Sequence, residues 1–183
     1  MVNFILYVLF IATLVIITKV LGGYMFKVFN DKKTIFDWFA IPLESIYAKS
    51  LGINIKKEQS AKSYFMSILL FSFISFIFVI GVLMLQGLLP FNPADIKGMS
   101  FYQAFNTAVS FVTNTNWQSY AGEVDVSYFS QMTVLCVQNF VSGAVGLAVA
   151  IALIRSVARH ESITVGNFWS DLGKSVFCVL LPL

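Results

Sequence analysis

A chain of 183 residues that is 58% hydrophobic and 11% charged, with 19 Phe and a mean hydropathy of +0.81, has too little polar surface to coat a soluble globule, in which about a quarter of residues would be charged. The formal net charge of +3 is small and the basic residues are grouped by loop, so nucleic acid is not implied as a partner. The chain reads as an all-α integral membrane protein, and Cys136 and Cys178, both in apolar runs, read as buried thiols rather than a disulfide.

In chain order, residues 4–18 form an apolar stretch interrupted only by Thr13. With Asn3 and Lys19 it spans about 17 residues, near the lower limit for crossing a bilayer. No Lys or Arg precedes it and no small-x-small cleavage site follows, so it reads as an uncleaved span rather than a secretory signal peptide. Gly22-Gly23 marks its expected end, giving a first transmembrane helix over residues 1–23. Residues 24–62 carry seven Lys, among them Lys27, Lys49 and Lys62, against Asp31, Asp37, Glu44 and Glu58. Within this loop, residues 36–43 are aromatic and amphipathic, as suits a helix lying in the lipid interface.

Residues 63–85 are uncharged and form the clearest span; Gln86-Gly87, Pro90 and Pro93 stop it. Residues 86–127 hold one base, Lys97, and three acids, Asp95, Glu123 and Asp125. Residues 126–154 form a third uncharged run, where Ser142, Gly143, Ala144, Gly146, Ala148 and Ala150 offer a small-residue face for close helix packing. Arg155, Arg159 and His160 follow. Lys19 and Arg155 are expected to snorkel to the interface, and the solitary His160 to lie there too. Residues 177–183 read as the start of a fourth span, about 7 residues where about 20 are needed. Residues 63–154 therefore make one membrane–pore–membrane repeat (spans 63–85 and 126–154, pore loop 100–118), and residues 155–183 a cytoplasmic linker and the start of a second repeat. Basic loops stay in the cytoplasm, which places the amino terminus outside.

The stretch between the second and third spans carries the chemistry. Residues 104–118 contain no charged residue. Their first half reads as a short helix, with Ser100 as its N-cap. Residues 100–111 would give about 18 Å of helix at 1.5 Å per residue, roughly half of a hydrocarbon core of about 30 Å. Four small polar residues follow: Thr113, Asn114, Thr115 and Asn116. A half-length helix followed by polar non-helical backbone between two spans has the form of a re-entrant pore loop, since such backbone survives at membrane depth only against protein or along water. The helix's carboxyl end, negative by its dipole, would face the membrane centre. Backbone carbonyls, Thr hydroxyls and Asn residues that tolerate left-handed backbone suit a filter for a dehydrated monovalent cation. With no carboxylate in the stretch, a divalent site is disfavoured. An ordinary extracellular loop with an amphipathic helix fits the same pattern. Gly166 and Gly173-Lys174-Ser175 do not form a phosphate-binding loop, because six residues part the glycines where four are required. No nucleotide-binding motif is visible, so the chain is not expected to be an ATPase by itself.

Residues 105–120 resemble the first pore loop of the KdpA family, the potassium-translocating subunits of the Kdp ATPase. The resemblance extends to residues 89–93, to Gly122-Glu123, Gln131-Met132 and residues 138–142, and to residues 166–169 and 180–183. It implies membership of a superfamily of K⁺ transporters built from four membrane–pore–membrane repeats around one filter. It further implies that Thr113, Asn114, Thr115 and Asn116 line one quarter of that filter, with Gln118 at its outer edge, and that K⁺ is the transported ion. The implied partners are KdpB, a P-type ATPase subunit, with KdpC and KdpF, in the bacterial plasma membrane. The chain corresponds to about a third of the family's length, and is expected to be an amino-terminal fragment carrying one repeat. A small homotetrameric cation channel and a membrane scaffold without its own ion path are the other readings.

Overall fold

The computed structural model describes residues 2–159 and 163–182 and is almost wholly helical; the reading of His160 lies outside the described residues. Helix α1 (Val2–Phe29), α2 (Asp37–Leu51), α3 (Ala61–Leu85) and α4 (Phe101–Val112) come first. Helix α5 (Tyr128–Ala158) contains a π-helical stretch over Gln131–Cys136, and α6 (Phe168–Lys174) continues as a π-helix over Ser175–Leu180. Two short strands, β1 (Gln59–Ser60) and β2 (Thr164–Gly166), pair antiparallel. Among the described residues, three helical stretches are long and apolar enough to cross a membrane: Phe4–Phe29, Ala61–Leu88 and Tyr128–Ala158.

Gly22-Gly23 does not end the first helix, which runs on to Phe29. A glycine costs a helix interior about 1 kcal/mol relative to Ala. Tyr24, Met25, Val28 and Phe29 pack beside Val179, and this burial outweighs the glycines. The interfacial segment foreseen at residues 36–43 belongs to the longer α2, which leaves Trp38 and Ile41 exposed and stops at Gly52, where φ is +63°.

Helices α3 and α5 form the frame, with a core at each end. At one end Val79 and Leu83 of α3 pack with Ala104, Ala108 and Phe111 of α4 and with Val134 of α5. At the other, Tyr64 of α3 packs with Ala144, Ala148 and Ala152 of α5 and with Phe168 and Leu172 of α6. The alanines recur every four residues and so share one helix face. Gly146 and Ala150 lie off that face and are exposed, which narrows the small-residue surface expected on this span. Cys136 is also exposed, against its expected burial, while Cys178 is partly buried; neither is in a disulfide.

The β1–β2 end is held by polar bonds. Asn167 caps α6 by accepting from Ser170 N (3.1 Å), which starts the helix at Phe168, ahead of the apolar run beginning at 177. Gln59 accepts from Phe168 N (2.8 Å), and Asn167 donates to the Lys57 carbonyl (2.8 Å). The Thr164 hydroxyl and the Arg159 guanidinium bond Glu58 and hold its carboxyl below the usual range. Arg155 does not snorkel. Its side chain is largely buried, 2.7 Å from Asp171, and it also donates to the Phe29 carbonyl (3.2 Å). Asp171 accepts a further bond from Tyr64 (3.1 Å), so one carboxylate ties α3, α5 and α6 together.

Candidate functional site

Helix α4 begins where expected. The Ser100 hydroxyl accepts from Gln103 N (3.3 Å), satisfying one amide that a helix start leaves unpaired. Its apolar face, Ala104, Ala108 and Phe111, sits in the core against α3 and α5. The approach of the chain to α4 is tight. Met99 N bonds the Leu83 carbonyl (3.0 Å), and a Cβ on Gly98 would lie 2.0 Å from the Met84 carbonyl oxygen.

The helix ends in a Schellman motif. Thr115 N bonds back to the Ser110 carbonyl (3.0 Å) and Asn114 N to the Phe111 carbonyl (3.3 Å). The motif requires a left-handed residue between them, and Asn114 supplies it with φ +58°. Asn is one of the few side chains that visit this region readily. Asn116 repeats the left-handed conformation at φ +55°. The chain then runs back along α4. Trp117 O accepts from the Ser110 hydroxyl (2.8 Å), while Ser119 accepts from Gln103 Nε2 (2.9 Å) and donates to Asn106 Oδ1 (3.3 Å).

The result is a helix–loop hairpin whose tip is residues 113–116, all exposed. The tip's oxygens fall into two groups. Thr113 donates its hydroxyl proton to the Val109 carbonyl (2.7 Å), and Thr115 donates to the Ser110 carbonyl (3.1 Å). The two hydroxyl oxygens lie 3.1 Å apart. A hydroxyl that donates to a helix carbonyl keeps its lone pairs for another partner. The backbone carbonyls of Thr113, Asn114, Thr115 and Asn116 accept no hydrogen bond among the described residues, whereas the next carbonyl, Trp117, is taken by Ser110. The tip is also steadied from α5, where Ser142 Oγ lies 3.3 Å from Asn114 Oδ1. Gln118 lies exposed beyond Trp117 on the returning chain.

Sequence reasoning named the tip but not its supports. Gln103, Asn106 and Ser110 follow i, i+3, i+7 spacing and form a polar stripe beside the apolar one, a pattern visible in the sequence. Gln86 read only as a helix stop. It is wholly buried, donating to the carbonyls of Lys97 (2.9 Å) and Asp125 (2.8 Å) and accepting from Ser127 N (3.1 Å). It thereby clamps the two ends of the segment that holds the hairpin. Its partners lie far along the chain, and no local signal points to them.

Comparison with known proteins adds to this geometry. A family model described as KdpA, potassium-transporting ATPase A subunit, matches residues 8–183. Proteins named potassium-transporting ATPase potassium-binding subunit are similar to the chain. Those of Francisella philomiragia subsp. philomiragia and Francisella tularensis subsp. novicida are 70% and 65% identical over 99% of the chain and 32% of their own length. That of Caulobacter vibrioides is 49% identical over 89% of the chain and 29% of its own length. The chain thus spans about a third of the length of the relatives it matches.

Proposed function

The chain belongs to the KdpA family of potassium-transporting ATPase A subunits, and on that premise we propose that it binds and passes K⁺ as part of the channel-like subunit of an ATP-driven uptake pump. The tip of the α4 hairpin forms one wall of the selectivity filter. The single observation that carries this reading is the run of four successive unclaimed carbonyls, at residues 113–116. A bare K⁺ is held by rings of such oxygens in place of its water. Alternating left-handed residues turn successive carbonyls away from the opposed directions they take in a strand. The hydroxyls of Thr113 and Thr115 add neutral ligands, and α4 aims its negative end at the same place. Gln118 stands at the outer mouth.

One hairpin supplies one wall, and a cation needs ligands on all sides. The relatives are about three times as long as this chain, which leaves room for three equivalent hairpins from further membrane–pore–membrane repeats. In this reading α4 and its loop are re-entrant. The spans are 63–85 and 126–154, preceded by α1 as an extra helix, and the protein sits in the bacterial plasma membrane. The lysine-rich loop with Arg155 and Arg159 faces the cytoplasm, and the amino terminus and the acids at 95, 123 and 125 face outward. ATP hydrolysis falls to a P-type partner, KdpB, with KdpC and KdpF completing the complex.

The test is K⁺-stimulated ATP turnover by the full-length transporter assembled with its partner subunits. Thr115→Ala removes one ligand oxygen while leaving the backbone bonds in place. It should raise the apparent KM for K⁺ about tenfold, the equivalent of one good ligand worth about 1.4 kcal/mol. An unchanged K⁺ dependence in this variant and in Thr113→Ala would overturn the assignment.

A further inference from the structure

We infer that Ser110 is the positioning residue of this K⁺ site: its hydroxyl fixes where the row of free carbonyls ends, and so sets which cation the row fits. The inference rests on the filter reading above. Ser110 is wholly buried, within the last turn of α4. It holds the tip from both sides. Its carbonyl takes Thr115 N (3.0 Å), Asn116 N (3.3 Å) and the Thr115 hydroxyl (3.1 Å), drawing the inner end of the loop onto the helix. Its hydroxyl donates to Trp117 O (2.8 Å), drawing in the outer end. The tip of residues 113–116 is thus closed between the backbone and the side chain of a single residue.

The consequence for the ion is specific. The Trp117 carbonyl is engaged by Ser110 and turned toward the helix, which sets it apart from the four free carbonyls before it. Ser110 itself is wholly buried at the base of the loop. With alanine at 110, the Trp117 oxygen loses its donor and is free to rotate. The loop then gains slack at its outer end, and the spacing of the remaining carbonyls is no longer fixed. A filter discriminates among ions of like charge by the number and placement of its oxygens. A slack row should therefore lose affinity for K⁺ and lose discrimination between K⁺ and the larger Rb⁺. The carbonyl bonds made by Ser110 come from its backbone, so the helix cap does not depend on the side chain.

The experiment measures K⁺- and Rb⁺-stimulated ATP turnover in the full-length transporter assembled with its partner subunits, for Ser110→Ala and Ser110→Thr. The alanine variant should raise the KM for K⁺ about fivefold, the loss of one ordinary hydrogen bond, and narrow the ratio of KM for Rb⁺ to KM for K⁺, with the maximal rate held. The threonine variant, which keeps the hydroxyl, should retain the wild-type ratio. Wild-type KM and ratio in the alanine variant overturn the inference. So does a reduced maximal rate at unchanged KM, the mark of a merely structural role. Should Ser110→Ala fail to assemble, Ser110→Cys, close in shape and a weaker donor, takes its place: a raised KM with a narrowed ratio supports the inference, and wild-type values overturn it. Thr115→Ala is measured alongside. If it shifts the KM while Ser110→Ala does not, only the role of Ser110 falls; if neither does, the filter assignment falls with it.

Discussion

Asn114 serves two purposes at one backbone position. It closes the end of α4 as the left-handed residue of the cap, and it presents its carbonyl at the tip of the hairpin. The first purpose alone would suit glycine. Its side chain adds contacts within the hairpin and with α5: Asn116 Nδ2 donates to its Oδ1 (3.4 Å), and Ser142 approaches the same oxygen. Two substitutions separate these contributions. Asn114→Val places a β-branched side chain at φ +58°, which costs about 1–2 kcal/mol and should unwind the cap. Asn114→Gly keeps the conformation and loses only the side-chain contacts. The K⁺ dependence of ATP turnover should therefore be far more damaged by valine than by glycine; equal damage from both would mean that the side chain, not the backbone, is what matters there.

At the scale of elements, the α4 hairpin is placed by close backbone contact as much as by its apolar face. Gly98 lets the chain pass against the end of α3, where a Cβ would meet the Met84 carbonyl oxygen at 2.0 Å. That neighbour is backbone and cannot rotate aside. Gly98→Ala should therefore displace the entry to α4, lowering the abundance of the folded transporter and its melting temperature, as measured by fluorescence-detected chromatography after heating. Wild-type behaviour would show that the segment has room to shift. The start of α4 was legible in the sequence because Ser100 is a local signal, and so was the polar tip, because four small polar residues interrupt an apolar region. The run of α1 past Gly22-Gly23 was not, since the packing of Val28 and Phe29 against Val179 is tertiary. The same limit hid Arg155, whose position after a span suggested the interface and whose partner Asp171 lies 16 residues on.

For the molecule as a whole, the two ends of the α3–α5 frame each hold an apolar core and differ in what is added to it. The hairpin end adds Gln86 as its clamp, and the opposite end adds ion pairs and side-chain bonds around Asp171 and Glu58. Arg155→Leu would strand the Asp171 carboxylate, whose side chain is 2% exposed, leaving the Tyr64 hydroxyl as its side-chain hydrogen-bond donor among the described residues. Breaking one half of a buried pair costs about 3–5 kcal/mol. The variant should melt well below the wild type in detergent, and Arg155→Leu with Asp171→Leu together should recover part of the loss. A double variant no more stable than the single one would mean that the pair is not what holds that end. The small ribbon of β1 and β2 has a consequence for synthesis. The side-chain nitrogen of Gln59 has Ser67 close at hand, but its side-chain oxygen must wait for the Phe168 amide, 109 positions later. By then a ribosome has already delivered all three long helices, so this seam is sewn last, and a nascent chain stalled before β2 would leave the loop ahead of α3 with its ribbon unmade.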